Sequence, residues 1–481
     1  MAISALLTDL YQLTMLAGYH AQNIHEKRAV FDLYFRKAPY CGSYAVFAGL
    51  QPALEYLQNV KFTEEDIEYL RSLNLFENSF LDWLRHFRFK GRVLAPPEGT
   101  PVFPHEPLLS LEGGLAEVQF VESTLLNIIN FQTLVATKAA RLSQTAAPGA
   151  VVDFGLRRAQ GPDGALSVAR AAAVGGVSAT SNLLAGRLYG LPVKGTQAHS
   201  WIMAFDTELE AFRAYATSFP QTCILLVDTY DSLKSGVPNA IKVATELREK
   251  GYELAGIRLD SGDLAWLSRE SRKMLDLAGF SQVQIIVSND LDEELIEAVC
   301  HDGGQVDIYG VGTRLATCAG HGGGALGGVY KLVEISGRPT LKATSDPAKA
   351  GLPGQKNLYR VRSVEGQDLF DLICLKGELV GVGDLVFDPE NSERQQSVPV
   401  GAELVEICHP VMSNGDMLDQ EEKLETMAAR CCRELSRLPE GSLRLINPHR
   451  YKISISKGLL QLRQKLLTEI GAQVAKSAIS K

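Results

Sequence analysis

Two short segments of the chain carry side chains that could bind or transfer a phosphoryl group. GTQAHS (195–200) contains His199, whose imidazole can exchange a proton near neutral pH and can act as a nucleophile. In RLDSGD (258–263), Arg258 and Asp260 are two residues apart, so both point to one side of an extended strand. Arginine can bind a carboxylate or phosphate with two hydrogen bonds, and aspartate can bind Mg²⁺. The alternatives are a histidine that caps the next segment and a salt bridge beside a helix cap.

Three further turns offer groups for binding phosphate or metal. The glycines of GVGT (310–313) allow backbone N–H groups to close on phosphate oxygens. DFGLRRAQGPDG (153–164) contains Arg157, which suits a phosphate or diphosphate, and VDTYDS (227–232) offers Asp228 as a carboxylate ligand for Mg²⁺. Flexible turns, a solvated loop and a helix cap are the structural alternatives. Together the segments predict a site for a phosphorylated substrate with Mg²⁺.

Seven short apolar runs, each ending at a polar or glycine-rich cluster, must position these groups. Helical patterns separate most of them, and such an alternation predicts a parallel sheet that is buried on both faces. In such folds the carboxyl ends of the strands line the active site. We therefore predict an α/β enzyme whose chemistry lies at one rim of its sheet. The runs are 151–155, 175–182, 193–200, 224–230, 256–263, 285–290 and 308–313.

Length and composition indicate the general class of the protein. The 481 residues, 46% hydrophobic and 22% charged, are typical of a soluble globular chain. The net charge of −8 argues against nucleic-acid or anionic-membrane binding, although not against anionic substrates. The segment 1–20 lacks a basic region and is interrupted by Asp9, so we expect neither a signal peptide nor a spanning helix. The eight scattered cysteines form no CxxC pair, which favours idle thiols in a reducing cytoplasm over a zinc site.

The segments outside the strand–helix alternation predict additional mixed structure. We expect three regions, 1–145, 146–335 and 336–481, with the first completed by part of the third. In the flanking regions we predict helices over 7–20, 115–144, 416–438 and 457–476, strands over 29–35, 44–50, 329–335 and 338–344, and mostly β-structure over 350–412.

The motifs, in their order along the chain, resemble those of nicotinate phosphoribosyltransferases. They extend from residue 6 to about residue 345, and the match is specific because no single short pattern carries it. The C-terminal hundred or so residues show no such motif. The matching segments are LLTDLYQLTM (6–15), DFGLRRAQGPDG (153–164), SNLLAGRLYGLPVKGTQAHS (181–200), VDTYDS (227–232), RLDSGD (258–263), VSND (287–290), GVGT (310–313) and GGVYKLV (327–333).

The resemblance implies a reaction, a fold and partners. The family joins nicotinate to 5-phosphoribosyl 1-diphosphate, forming nicotinate mononucleotide and diphosphate for NAD biosynthesis, and couples this to ATP hydrolysis through a phosphohistidine. It implies Mg²⁺ or Mn²⁺, with no ligand set assigned, and a cytoplasmic homodimer with sites near the subunit interface. The implied fold is an irregular (β/α) barrel of the type II phosphoribosyltransferase kind beside an N-terminal α/β domain joined by returning C-terminal segments.

The resemblance also assigns roles to single residues. The phosphorylated histidine falls on His199, and Asp260 would steady the ribose hydroxyls or the metal. The pyridine ring would lie between Phe154 and Tyr11, the latter from this or the partner subunit. The implied nicotinate ligands are Tyr11, Phe154, Thr196 and Arg258, and the implied ligands of phosphoribosyl diphosphate are Arg157, Asp228, Gly310, Gly312 and Thr313.

Three other functions share part of this pattern. The same transfer to nicotinamide needs nearly the same groups, and a comparison of the two bases distinguishes it. A sugar-phosphate aldolase or isomerase on a barrel would need a reactive Lys or Glu at a strand end; the strand ends carry neither, although Lys194 lies just before GTQAHS. A silent sensor of phosphoribosyl compounds would not need His199, Arg258 and Asp260 intact, and a diphosphate-release assay would test it.

Overall fold

The structure is a computed structural model that describes residues 3–342, 351–418 and 421–479. It divides into two compact units, of which unit 1 comprises Met1–Leu134 with Ala325–Lys481, and unit 2 comprises Val135–Gly324. Within the described part of the chain, no helix combines the length and hydropathy needed to span a bilayer.

The secondary structure contains both helices and strands in each unit. In chain order the strands are β1 Arg28–Tyr34, β2 Ala45–Val46, β3 Arg92–Ala95, β4 Pro101–Val102, β5 Leu109–Gly114, β6 Ala150–Asp153, β7 Ala179–Thr180, β8 Ile224–Leu226, β9 Gly256–Leu259, β10 Gln284–Ser288, β11 Ile308–Val311, β12 Val329–Ile335, β13 Arg338–Pro339, β14 Lys356–Arg362, β15 Asp368–Leu375, β16 Leu385–Phe387, β17 Gln395–Ser397, β18 Glu403–Glu406, β19 His409–Ser413, β20 Asp416–Met417 and β21 Ile453–Ile455. The helices are α1 Leu10–Ala21, α2 Leu50–Asn59, α3 Glu64–Ser72, α4 Asn78–Arg85, α5 Leu115–Phe120, α6 Glu122–Ala146, α7 Pro162–Val174, α8 Leu183–Tyr189, α9 His199–Met203, α10 Glu208–Ser218, α11 Val237–Glu249, α12 Leu264–Leu277, α13 Glu293–His301, α14 Thr313–Ala316, α15 Leu424–Leu435 and α16 Lys457–Ile479.

Unit 1 is built on two large sheets. The first has the order β13-β12-β1-β5-β3-β19-β20, and β1 pairs antiparallel with both β5 and β12. Phe31 of β1 stacks on Tyr330 of β12 with ring centroids 4.9 Å apart, and both rings belong to one continuous apolar core. The second sheet has the order β17-β16-β21-β15-β14-β18 and carries two smaller apolar clusters, around Ile373 and Phe370. Strands from both ends of the chain therefore share the first sheet.

Unit 2 contains a six-stranded parallel sheet of order β7-β6-β11-β10-β9-β8, with β7 and β8 at its edges. Its register places Val311 opposite Asp153 and Ser288 opposite Gly310, so the carboxyl ends of neighbouring strands lie level. Aliphatic side chains such as Val152 pack in a cluster on this sheet. The predicted α/β class and parallel strands are confirmed, and the helices that separate the strands include α11, α12 and α13.

The strand predicted over 193–200 is wrong. Val193 makes only an isolated bridge to Thr180, and helix α9 begins at His199. After Val193 the sequence continues Lys-Gly-Thr-Gln, in which Thr196 is the one β-branched residue and no large apolar side chain occurs, whereas a buried strand needs a run of such side chains. His199 is therefore the first residue of a short helix and does not end a strand.

Other predicted elements differ in extent. The strand predicted over 44–50 is limited to β2, because Gly49 adopts a φ of 98° and α2 begins at Leu50. The carboxylate of Glu98 accepts hydrogen bonds from the backbone N–H of Gly49 at 2.6 Å and of Gln51 at 3.0 Å, which satisfies the start of that helix. The helix predicted over 115–144 is two helices, α5 and α6, and that over 416–438 begins only with α15. The last residues of the strand predicted over 338–344 lie outside the described residues.

Candidate active site

Arg258, at the carboxyl end of β9, is the centre of the site. Its Nη2 lies 2.9 Å from Oδ1 of Asp260, its Nη1 donates to Oγ1 of Thr196 at 3.0 Å, and its Nε donates to Oγ of Ser288 at 2.9 Å. Only 12% of the Arg258 side chain is exposed, so the guanidinium is held in one orientation by three neighbours. The remaining N–H groups of its planar fork suit a carboxylate or phosphate.

Asp260 is kept ionised by its neighbours. Burial acts to raise the pKa of its carboxyl, but the charge of Arg258 and the hydrogen bond from Ser288 outweigh this and place the pKa below its usual value. A hydrogen bond from the Arg258 side chain and the positive charge of a protonated His199 also lower the pKa of Asp260. At neutral pH the site therefore contains a fixed carboxylate beside a fixed guanidinium.

His199 presents its imidazole to this carboxylate. Its Nε2 lies 3.8 Å from Oδ2 of Asp260, and its Nδ1 lies 3.0 Å from Oγ1 of Thr229, within hydrogen-bond distance. The side chain is 41% exposed, so a ligand can reach the ring. When Nδ1–H donates to Thr229, the lone pair on Nε2 is available to attack an electrophile.

An aromatic ring lies beside the guanidinium. The centroid of the Phe154 ring is 5.5 Å from Cζ of Arg258, a cation–π distance. The Phe154 N–H donates to the carbonyl of Val311 at 2.9 Å, which fixes the residue next to β11. A Cβ atom on Gly310 would overlap the Phe154 ring, so the absence of a side chain at position 310 makes room for the ring. Gly310, near the carboxyl end of β11, therefore belongs to the same cluster as Arg258.

Asp228 organises the turn that follows β9. Its Oδ2 accepts hydrogen bonds from the backbone N–H of Asp260 at 3.0 Å and from the hydroxyl of Ser261 at 2.6 Å. Its Oδ1 is buried and has no hydrogen-bond partner among the described residues. One carboxylate oxygen is therefore engaged with the protein, and the other remains available to a ligand.

The other predicted site residues occupy separate positions. Thr313 begins α14 directly after Gly312. Arg157 is exposed in a single 3-10 turn, and no ion pair engages it within the described part of the chain. Tyr11 lies on α1 in unit 1 and is 47% exposed, and burial of part of its ring raises the pKa of its hydroxyl. The structure thus brings together the predicted residues 154, 196, 199, 228, 258, 260 and 310 in unit 2.

Ser288 and Asp153 lie within the matched motifs VSND and DFGLRRAQGPDG, but no ligand or catalytic role is predicted for either. The Ser288 hydroxyl donates to Oδ1 of Asp260 in addition to accepting from Arg258, and it is buried. Asp153 accepts from the N–H of Gly155 at 2.7 Å and from the hydroxyl of Thr180 at 2.8 Å, and burial raises the pKa of its carboxyl. Ser288 therefore holds the Arg258 side chain, and Asp153 holds the turn that follows Phe154. The local signals for Ser288 are its place in the VSND motif and its hydroxyl at the polar end of an apolar strand.

The chain is similar to nicotinate phosphoribosyltransferases along nearly its whole length. It matches family models for the nicotinate phosphoribosyltransferase N-terminal domain over residues 6–130, the nicotinate phosphoribosyltransferase family over 150–367 and the C-terminal domain over 355–463. It is 38% identical to nicotinate phosphoribosyltransferase 2 of Arabidopsis thaliana over 95% of this chain and 93% of that protein. It is 46% identical to nicotinate phosphoribosyltransferase of Bacillus subtilis (strain 168) over 74% of this chain and 73% of that protein.

A solved structure extends the similarity to the fold. The crystal structure of human nicotinic acid phosphoribosyltransferase superposes with a TM-score of 0.85 at 33% identity, over 95% of this chain and 99% of that one. The C-terminal match at 355–463 includes the region in which no motif was recognisable. The predicted family is confirmed: the chain belongs to the nicotinate phosphoribosyltransferase family.

Proposed function

We propose that this chain transfers the phosphoribosyl group of 5-phosphoribosyl 1-diphosphate to nicotinate, releasing diphosphate, and couples the transfer to ATP hydrolysis through His199. The observation that carries the proposal is the Arg258 guanidinium, fixed by Thr196, Ser288 and Asp260, with Nε2 of His199 3.8 Å from the same carboxylate. A cation that suits an anionic substrate and a nucleophile that suits a phosphoryl group thus share one site.

Nicotinate would bind through its carboxylate and its ring. The carboxylate takes the open side of the Arg258 fork and the Thr196 hydroxyl. The pyridine ring lies on Phe154, with a Tyr11 from this or the partner subunit proposed on its other face. A carboxylate gains a charge-assisted hydrogen bond from Arg258, whereas the neutral amide of nicotinamide does not. This charge difference supports nicotinate over nicotinamide as the base.

The transfer breaks the bond between C1 of the ribose and the diphosphate oxygen and forms a bond from the pyridine nitrogen to C1. Positive charge develops on the ribose as diphosphate leaves, and the ionised Asp260 steadies the ribose hydroxyls or the metal. Arg157 and the 310–313 turn, with Gly310, Gly312 and Thr313, bind phosphate groups. The pyridine nitrogen attacks with its own lone pair, so the step needs alignment and no general base.

His199 would carry the energy coupling. Its Nε2 attacks the γ-phosphorus of ATP, the bond from that phosphorus to ADP breaks, and water later releases phosphate from the histidine. The Thr229 contact on Nδ1 orients the ring, and Asp260 lies beside the attacking nitrogen. A change of charge on His199 therefore alters the electrostatic interaction with the nearby Asp260 carboxylate, which is proposed to face the ribose.

The residues fit a divalent cation. Among the described residues, no cluster of three or more His, Cys, Asp or Glu side chains has the arrangement of a metal site. Mg²⁺ is commonly held by one or two carboxylates together with substrate phosphates, and it neutralises the charge of a leaving diphosphate. The buried, unpartnered Oδ1 of Asp228 is the carboxylate oxygen that fits this role, with Asp260 beside it. Mn²⁺ has the same ligand preference.

The assembly and the closure of the sheet are further parts of the proposal. The six parallel strands of unit 2, which alternate with helices, are the elements from which an irregular barrel of the type II phosphoribosyltransferase kind would be built. Exposed apolar side chains on α8 and α9, including Leu183 at 75% and Met203 at 67% exposure, support a homodimer. Light scattering of the purified chain tests the dimer, and a monomeric mass would contradict it. We place the reaction in the cytoplasm.

The decisive experiment measures diphosphate release and nicotinate mononucleotide formation with and without ATP. We expect nicotinate to be used in preference to nicotinamide at limiting concentration, and we expect ATP to stimulate the reaction. His199→Ala should abolish the stimulation, whereas His301→Ala, an 86%-exposed histidine on α13, should leave it unchanged. ATP stimulation that persists in His199→Ala would show that this role is wrong, and a preference for nicotinamide would replace the proposed substrate.

A further inference from the structure

A large cavity lies wholly within unit 1. Its volume is about 920 Å³, and its walls come from the segment after β1, the loop between β16 and β17, and the segment that leads into β21. A volume of this size is in the range of pockets that hold small-molecule ligands. None of the residues that line it takes part in the reaction proposed above.

The walls of the cavity carry more positive than negative charge. Glu390 forms an ion pair with Arg450 at 2.9 Å, and Oδ1 of Asp388 accepts the backbone N–H of Glu390 at 2.7 Å. Both carboxylates are therefore engaged with the protein. The cations that line the cavity are Arg36, Lys37, Arg394, Arg450 and Lys452.

Three of these cations are available to a ligand. The side chains of Lys37, Arg394 and Lys452 are exposed and make no hydrogen bond or ion pair within the residues that the structure describes. They come from separate segments of the chain, so their convergence on one cavity is a property of the fold. Concentrated positive charge at a concave surface attracts anions.

The backbone around the cavity is held in an unfavourable conformation at three positions. Cys41, His105 and Asn447 line the cavity and have φ values of 50°, 73° and 47°. Non-glycine residues rarely adopt this left-handed region, and such residues concentrate at ligand sites, where the surrounding structure maintains them. These three positions line the same cavity as the cations.

From these features we propose that the cavity in unit 1 binds an anion that carries a chain of two or more phosphate groups. The phosphate chain would be bound by Arg394, Lys452 and Lys37. An arginine fork and lysine ammonium groups are the side chains that proteins use for phosphate oxygens. Five cations and two carboxylates line the cavity, which leaves a surplus of three positive charges. A single carboxylate compensates one of these and a single phosphate at most about two, whereas a di- or triphosphate can compensate all three, which favours the longer anion.

Calorimetric titration of the full chain with inorganic triphosphate, without nicotinate or phosphoribosyl diphosphate, tests this proposal. We expect Arg394→Ser/Lys452→Ser to weaken triphosphate binding at least about tenfold, because the variant loses two charge-assisted hydrogen-bond donors to the phosphate oxygens. Lys61→Ser/Arg88→Ser removes the same charge from exposed positions outside the cavity and should have no effect. Both substituted pairs are exposed, and the single variant Arg394→Glu provides a second test if the double variant is not folded.

The outcomes separate the site from the proposed catalysis. Loss of triphosphate affinity in the cavity variant alone would support the proposal, and an equal loss with ATP in place of triphosphate would assign recognition to the phosphate chain. Three outcomes would each overturn it. The wild type and the cavity variant could bind triphosphate with equal affinity and stoichiometry, the wild type could show no detectable binding, or the control variant could lose as much affinity as the cavity variant. Diphosphate release from nicotinate and phosphoribosyl diphosphate is measured separately, so either proposal can fail while the other stands.

Discussion

Ser288 is the residue whose replacement tests the geometry of the site most directly. It is the last residue of β10 and is 3% exposed. Its hydroxyl accepts a hydrogen bond from Nε of Arg258 at 2.9 Å and donates to Oδ1 of Asp260. Ser288→Ala removes both bonds and leaves the direct contact between the guanidinium and the carboxylate, 2.9 Å long. The charged pair persists in this variant, but one of the supports of its orientation is lost.

The expected loss follows from the two bonds. A hydrogen bond to a charged group contributes about 1.5–3 kcal/mol. Because one hydroxyl makes both bonds and the ion pair remains, we expect the two bonds together to contribute about 1.5–3 kcal/mol to transition-state binding. Since about 1.4 kcal/mol corresponds to a tenfold change in rate, kcat/KM for nicotinate should fall roughly 10- to 150-fold. Ser288 is a positioning residue, so we expect the effect through Arg258 and Asp260 and not through direct contact with the substrate.

The pH dependence gives a second readout. Burial acts to raise the pKa of Asp260, while Arg258 and Ser288 lower it by more, so Ser288→Ala should move this pKa upwards. A carboxyl group whose pKa is lower in the folded than in the unfolded protein stabilises the folded state. This stabilisation is present at pH values above the unfolded-state pKa of Asp, about 3.9, and is lost as the pH falls through the folded-state pKa. The variant loses part of this contribution, and the acid limb of its pH–rate profile should shift to higher pH.

Steady-state kinetics between acid and neutral pH measure both effects. Ser271→Ala is the matched control, because Ser271 on α12 is 0% exposed and its hydroxyl has no hydrogen-bond partner among the described residues. The control should keep both kcat/KM and the acid limb. The reasoning is refuted if Ser288→Ala keeps kcat/KM within about twofold of the wild type and leaves the acid limb in place. A lowered melting temperature alone would show that Ser288 is purely structural.

Two further substitutions test the packing of unit 2. We expect Gly310→Ala to raise KM for nicotinate several-fold, because the added methyl group would overlap the Phe154 ring and displace it. An unchanged KM in the kinetic assay would show that the Phe154 ring does not contact the base. We expect Glu293→Gln to lower the free energy of unfolding by about 3 kcal/mol in a denaturant titration, because its carboxylate is the ion-pair partner of the buried Lys138 and Arg141. Glu246→Gln, which breaks an exposed pair, should cost less than about 1 kcal/mol, and equal losses would contradict the burial argument.

The parallel sheet of unit 2 could be predicted because its strands are locally distinctive. The run that contains β10 is continuously apolar and ends at Ser-Asn-Asp, and the run that contains β11 ends at Gly-Thr. Strands buried on both faces have this appearance, since both sides need apolar side chains. The start of α2 could not be predicted in the same way. It depends on a carboxylate 49 residues away, that of Glu98, and no local pattern contains that contact.

The site could be predicted only in part, for a related reason. The proximity of Arg258 and Asp260 could be predicted from their two-residue spacing, and the structure shows the two side chains in contact, with Arg258 on β9 and Asp260 directly after it. Ser288 joins them because β10 pairs with β9 in a register that sets Val287 opposite Leu259. Register between strands is set by tertiary packing, so the sequence carries no direct sign that this hydroxyl bridges the pair.

The position of His199 shows why an incorrect secondary structure still led to the correct neighbourhood. The imidazole is oriented by Thr229, which follows β8, and by Asp260, which follows β9. Both contacts come from the rim of the parallel sheet, so what matters is that the segment 195–200 reaches this rim, whether as a strand or as the start of α9. The motif specifies which groups meet, and the neighbouring strand ends specify their orientation. The two residues that orient the His199 ring, Thr229 and Asp260, therefore lie outside the motif that contains His199.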